Sequence, residues 1–279
     1  MRYLLEFLCV CALGVMPLLG CSEPGGEADL CDGVDCEDDG NECTEDVCNP
    51  VDGMCGVPVE AGTACSEGAC LDAECTTLTT VEGVVTLYQS YTQQGPAEDA
   101  IVRVRGTSLS TTTDSRGRFS IDVFEGDWFF ESSKDGLWGW IQLAPVPYTN
   151  PALDLALLSD TLIGQVAGQL DIEIDAAKAI AVVDFDESSG QGGETATLSA
   201  PYSHVSAQNA DQNEVLSDEL LLGGGSELWY YNVNPTEELS VTPAGADGVN
   251  ICELQFPQAV YPVVSKVITF VDVLCTPTP

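Results

Sequence analysis

Arg118-Phe119-Ser120-Ile121-Asp122-Val123, preceded by Asp114-Ser115-Arg116-Gly117 and followed by Glu125-Gly126-Asp127, decides how this chain is read. Phe119, Ile121 and Val123 alternate with polar partners, a period of two that puts the apolar side chains on one face of a strand. The flanks are turn chemistry, because Asp and Ser bond their own backbone and Gly accepts positive φ. A strand buried on one side needs a second layer to cover it, so the pattern predicts sheet packed on sheet.

Working outward, Val81–Tyr88, Ala100–Arg105, Ser108–Thr113 and Asp127–Ser132 read as further strands, with Gln94-Gly95-Pro96 as another turn. Trp138–Leu143 and Leu153–Leu158 would close a sandwich over residues 79–158. Val81-Glu82-Gly83-Val84-Val85, Ala100-Ile101-Val102-Arg103-Val104, Thr113–Phe119, Gly126-Asp127-Trp128 and Lys134-Asp135-Gly136 resemble the carboxypeptidase regulatory-like domain. The resemblance implies a transthyretin-like β-sandwich and no peptidase activity. Asp99 departs from it, since a Gly is commoner there.

Ser159-Asp160 can cap a short helix whose Leu162, Ile163, Val166, Ala167 and Leu170 share one face, giving a connector at 159–177. Residues 178–279 return to short strands, expected at Ala179–Phe185, Thr195–Ser199, His204–Gln208, Leu216–Leu222, Glu227–Asn232, Glu238–Thr242 and Lys266–Leu274. Leu228–Pro235 resembles the strand-then-turn signature of a second, divergent sandwich of the same broad class. The fold class expected is mainly β: a small disulfide-rich module followed by two β-sandwich domains joined by a short helix.

Upstream, Met1–Gly20 has one early cation, Arg2, and an apolar run from Phe7 to Leu19. That is shorter than the ~20 residues of a membrane span and has the anatomy of a cleaved signal. Leu18-Leu19-Gly20-Cys21 resembles the bacterial lipobox, which implies lipidation at Cys21 and a tether over 21–30. Ser22 and Glu23 follow in place of an Asp, so an outer-membrane address is expected, on its periplasmic or extracellular face. Of 13 Cys, removing Cys9, Cys11 and Cys21 leaves ten, an even number that suits an oxidising compartment.

Eight of those ten, Cys31, Cys36, Cys43, Cys48, Cys55, Cys65, Cys70 and Cys75, crowd into residues 31–75, where large apolar residues are few. Disulfides must carry that module, and eight cysteines allow 105 connectivities. Asp38–Cys48, with Cys43-Thr44-Glu45-Asp46-Val47-Cys48, resembles the C-T-x-D-x-C repeats of matrix proteins and bacterial surface lipoproteins. Cys252 and Cys275 are the remaining two and are expected to pair with each other.

A net charge of −37 repels nucleic acid and anionic headgroups, so the partners expected are the membrane through the lipid and an unknown protein or glycan. Asp35, Glu37, Asp39 and Asp46, with Gly40, approach the register of an EF-hand loop, which makes calcium the one cofactor considered. Trp128, Trp138, Trp140, Trp229 and Tyr231 are candidate platforms for a sugar. His204 is the only histidine, and no G-x-S-x-G elbow, H-E-x-x-H or P-loop exists. Asp184-Phe185-Asp186-Glu187 pairs carboxylates, as an acidic chain does by chance. The function expected is that of a non-enzymatic, lipid-anchored cell-surface protein in adhesion or envelope interaction, or as a spacer; the alternative is a carbohydrate-binding accessory.

Overall fold

The structure is a computed structural model and describes residues 30–149, 152–185, 192–246 and 249–278. Cys21, the signal at 1–20 and nearly all of the tether lie outside the described residues. The chain divides into two compact units, Met1–Asp39 with Asp46–Val57, and Gly40–Glu45 with Pro58–Pro279.

In the first unit Cys31–Cys48 and Cys36–Cys55 are bonded. Two short strands, β1 (Thr44–Cys48) and β2 (Cys55–Pro58), pair as a small sheet. Val47, Val51 and Met54 are exposed, so cross-links rather than an apolar core hold this piece.

The second unit begins with β3 (Ala64–Cys65), β4 (Gly68–Leu71) and β5 (Glu74–Thr76), a three-stranded sheet. Cys43–Cys70 and Cys65–Cys75 close it. The cysteine-rich stretch is thus shared between the two units. A reason is visible at Ala61, whose carbonyl accepts from Ser108 N–H at 2.7 Å and so ties this part to the sandwich.

Then come β6 (Thr79–Ser90), β7 (Gln93–Pro96), β8 (Ile101–Val104), β9 (Ser110–Thr112), β10 (Arg118–Val123), β11 (Gly126–Ser133), β12 (Gly139–Val146) and β13 (Leu153–Leu158). β10, β6 and β13 form one sheet in that order, with β7 on β6. The alternating face of β10 is buried as its period requires: Phe119, Ile121 and Val123 meet Val81, Val102, Phe130, Leu153 and Leu155. Gly83 lies between Phe119 and Leu153 in register, and a Cβ there would stand 2.2 Å from the Phe119 ring. Only glycine lets that ring lie down on the strand.

The helix α1 (Asp160–Leu170) starts at Ser159, whose Oγ accepts from Leu162 N–H at 3.1 Å and donates to Gln89 O at 2.6 Å. Leu162, Ile163 and Leu170 are its buried face. The remaining strands are β14 (Ala179–Phe185), β15 (Thr195–Leu198), β16 (His204–Gln208), β17 (Glu214–Leu216), β18 (Glu227–Val233), β19 (Thr236–Leu239), β20 (Val241–Ala244), β21 (Asn250–Leu254), β22 (Tyr261–Val263) and β23 (Val267–Pro277).

The turn expected at Gln94-Gly95-Pro96 is instead strand β7, paired with β6, and two of the expected strands come out differently. Leu216–Leu222 keeps only Leu216 in β17, because Ser217 turns the chain by bonding Glu219 through both N–H and carbonyl, leaving Leu222 exposed. Glu238–Thr242 breaks at Ser240 into β19 and β20, which join different sheets: β19 pairs β22 and β20 pairs β15.

The two sandwich halves share one sheet of order β17-β16-β18-β14-β23-β12-β11-β8-β9, with β21 on β23. The join is the parallel contact of β23 with β12 on one side and with β14 on the other. One face of this central strip buries Ala181, Val183, Leu228, Tyr230, Val271 and Val273 in the core of the second half. The opposite face carries Ile180, Val182, Tyr231 and Ile268 against α1 and Trp138. Cys252 and Cys275 stand opposite each other on β21 and β23 and are bonded, their Cα atoms 4.1 Å apart.

Candidate functional site

The face of the shared sheet that looks toward α1 is laid out in rows by strand register. Trp140, Ile268, Ile180 and Tyr231 form one row across β12, β23, β14 and β18. Two residues further along each strand, Gln142, Phe270, Val182 and Trp229 form the next, ending at Ser206 of β16. Two residues beyond that, three carboxylates stand side by side: Asp272 on β23, Asp184 on β14 and Glu227 on β18. The period of two that buries isoleucine and valine under α1 carries these acids onto the same face.

Where α1 stops covering the sheet, a cavity of about 930 Å³ opens between these rows and the other sheet. Tyr88 comes from β6, Tyr91 from the turn after it, Gln94 from β7, Asp154 and Ala156 from β13, and Ile163 and Val166 from α1. The floor is aromatic: Trp140 stacks on Phe270 with ring centroids 5.1 Å apart, and Trp229 lies one strand beyond Val182. Tyr91 fixes the rim by donating from its hydroxyl to Gln169 of α1 at 2.9 Å.

Three acids along the cavity accept side-chain hydrogen bonds. Trp229 Nε1 donates to Glu227 at 2.7 Å, Ser226 Oγ to Asp184 at 2.7 Å, and Ser206 Oγ to Glu214 at 2.9 Å. Burial pushes Glu227 up to about 7, with Asp184 and Glu214 adding to the effect and the Trp229 bond opposing it. Burial, then Asp184, pushes Asp272 up to about 6. Burial also raises Glu214, and burial with the Glu214 charge raises Tyr91. A carboxylate kept from water holds its proton because its charged form loses solvation.

The five candidate aromatics part company here. Trp140, Trp229 and Tyr231 come together along the cavity. Tyr231 is only 1 % exposed, and its hydroxyl lies 3.0 Å from Ser206 Oγ, so it is wall rather than platform. Trp138 is 2 % exposed because its indole N–H caps inward onto Asp160 of α1 at 3.0 Å; it offers no open face. Trp128 packs beside Phe124 at 5.8 Å in the first half, away from the cavity. Phe270, Gln142, Glu227 and Asp272 were not singled out in the sequence. Their signal was there: in Ile180-x-Val182-x-Asp184, Ile268-x-Phe270-x-Asp272 and Glu227-x-Trp229-x-Tyr231, a carboxylate shares the alternating face of apolar or aromatic residues.

Of the calcium candidates, Asp39 and Asp46 meet, together with Asp38, with ligand oxygens within 4.8 Å of one another; Asp35 and Glu37 are not in that group. All three are exposed, and Asp39 N–H donates to Asp46 Oδ1 at 3.3 Å. Exposed carboxylates gather in so acidic a chain without an ion. His204 Nδ1 lies 2.8 Å from Ser203 Oγ, but that hydroxyl also contacts Tyr231 O and Asn232 Nδ2, a local turn network.

No family model matches the chain, and no curated protein matches it. Solved structures that are partly similar include these three. A type II cohesin–X-dockerin complex from Acetivibrio cellulolyticus, an N-terminal interface mutant, shares 26% identity over 28% of this chain and 51% of that one, at TM-score 0.21. The chain spans about half the length of the cohesin–X-dockerin chains it matches. The shaft pilin SpaA from Lactobacillus rhamnosus GG, solved as a double mutant, shares 8% over 72% of this chain and 99% of its own, at TM-score 0.24. The major pilin protein T-13 from Streptococcus pyogenes shares 10% over 71% and 96%, at TM-score 0.20. Overlap of this extent leaves function to be argued from the residues of this chain.

Proposed function

We propose that this chain is a non-enzymatic cell-surface protein, anchored by lipid at Cys21 to the outer membrane, whose sandwich unit serves adhesion or envelope interaction. One observation carries the setting: all ten cysteines from Cys31 to Cys275 are joined in five disulfides. Such bonds persist where thiols are not kept reduced. The lipobox at Leu18–Cys21 supplies the anchor, and the disulfide-tied first unit supplies a spacer without a large core. Aromatic faces beside the acids of the cavity support a binding role.

A second reading, a carbohydrate-binding accessory, is favoured by the aromatic floor of Trp140, Phe270 and Trp229. Cys21→Ala should move the protein from the membrane fraction to the soluble envelope fraction. The same fractions, offered a panel of soluble neutral oligosaccharides, test the second reading. Continued membrane fractionation of the variant would overturn the anchor.

A further inference from the structure

Among the described residues, the cavity is lined by five carboxylates, Asp154, Asp184, Glu214, Glu227 and Asp272, and by no Lys, Arg or His. Three of them stand in register on neighbouring strands. Like charges directly opposite across strands cost stability, and burial raises that cost. The wall of this cavity keeps such a row beside its aromatic floor, with no cationic side chain among the lining residues to offset it. A positively charged occupant would offset it.

The geometry sets the kind of cation. Neighbouring strands lie ~4.8 Å apart, so a row over three strands is about 10 Å long. Among the described residues, the acid and cysteine trios tight enough to hold one metal ion do not include this row. Aromatic faces attract cations that carry an apolar body, most strongly when water is excluded. Trp140 stacked on Phe270, with Trp229 beyond Val182, provides those faces next to the acids.

We propose that this cavity binds a small organic cation, an ammonium or guanidinium on an apolar body. The body rests on Trp140, Phe270 and Trp229, and the charge lies at the row of Asp272, Asp184 and Glu227. The inference rests on the reading of the cavity as a binding site and adds the sign of the ligand's charge.

Calorimetric titration of the whole mature protein at about pH 8 and low ionic strength tests it. The probes are tryptamine, agmatine and spermidine, with tryptophol as the uncharged counterpart of tryptamine and neutral oligosaccharides alongside. At least one amine should bind, added salt should weaken it, and tryptamine should outbind tryptophol by about ten-fold or more. Asp184→Asn and Asp272→Asn should each weaken the amine about ten-fold, ~1.4 kcal/mol, while far-UV circular dichroism stays unchanged. Should either variant misfold, the tryptamine–tryptophol comparison on the unaltered protein decides alone. If tryptophol or a neutral sugar binds as tightly as the amines, the cavity reading stands and the charge inference falls. If no probe binds, both fall. A lysine-rich peptide that binds where the free amines do not would also overturn the small-ligand proposal.

Discussion

Glu227 shows how one residue can carry the cost of a site. It shares its face with Trp229 and Tyr231, accepts from the Trp229 indole and sits beside Asp184. Its pKa rises from 4.5 to about 7, and that of Asp272 from 3.8 to about 6. An acid raised in this way binds its proton more tightly folded than unfolded. Its stabilising contribution is complete below pH 4 and is lost as pH climbs through these raised values. We therefore expect the thermal midpoint to fall between pH 5 and pH 8. Glu227→Gln should flatten that fall and gain on the order of 1–3 kcal/mol at pH 8, one pKa unit being ~1.4 kcal/mol before discounting for partial exposure. Scanning calorimetry at both pH values reads this directly; a midpoint that the variant leaves unmoved at pH 8 would count against the buried charge.

Among the elements, α1 decides where the cavity begins. Its first residue, Asp160, accepts from Trp138 and Lys266, and Gln169 in its last turn donates to Glu214 of β17, so the helix lies across the strands and leaves the carboxylate row of β14 and β23 uncovered. Its start is held twice by Ser159, once as the cap of Leu162 N–H and once through Gln89 at the end of β6. Ser159→Ala should cost about 1 kcal/mol or slightly more, the usual weight of a lost cap. Urea unfolding followed by tryptophan fluorescence measures it, and the amides of α1 should exchange faster in the variant. Equal stability and exchange would mean that the helix is held by packing alone. The Cys252–Cys275 bond works at the same scale: it locks β21 to the one strand that both halves share.

For the molecule as a whole, charge and cross-links divide the labour. A net charge of −37 favours solubility and repels polyanions, and eight bonded cysteines hold what the sparse apolar content of 31–75 does not. The mature, lipidated protein, denatured without reductant, should therefore titrate no thiol. After reduction, limited proteolysis should cut within residues 31–57 first and spare the sandwich unit, whose cores are apolar and extensive. Two or more reactive thiols before reduction would contradict the pairing.

By itself the sequence determined what is local. Alternation put Phe119, Ile121 and Val123 on one buried face, Ser159 placed the start of α1, and the strands at Arg118–Val123, Ala179–Phe185 and His204–Gln208 match their expected bounds. The eight cysteines of 31–75 pointed to disulfides without saying which pairs form, whereas Cys252 and Cys275, expected to pair with each other, do so. Tertiary structure alone decided that β23 enters between β14 and β12, making one sheet of two halves. It alone gathered Trp140, Phe270 and Trp229 with three carboxylates drawn from separate strands. The physical reason is that a period of two tells which way a side chain points but not which strand lies beside it. Backbone donors and acceptors are alike on every strand, so the choice of neighbour is made by long-range packing.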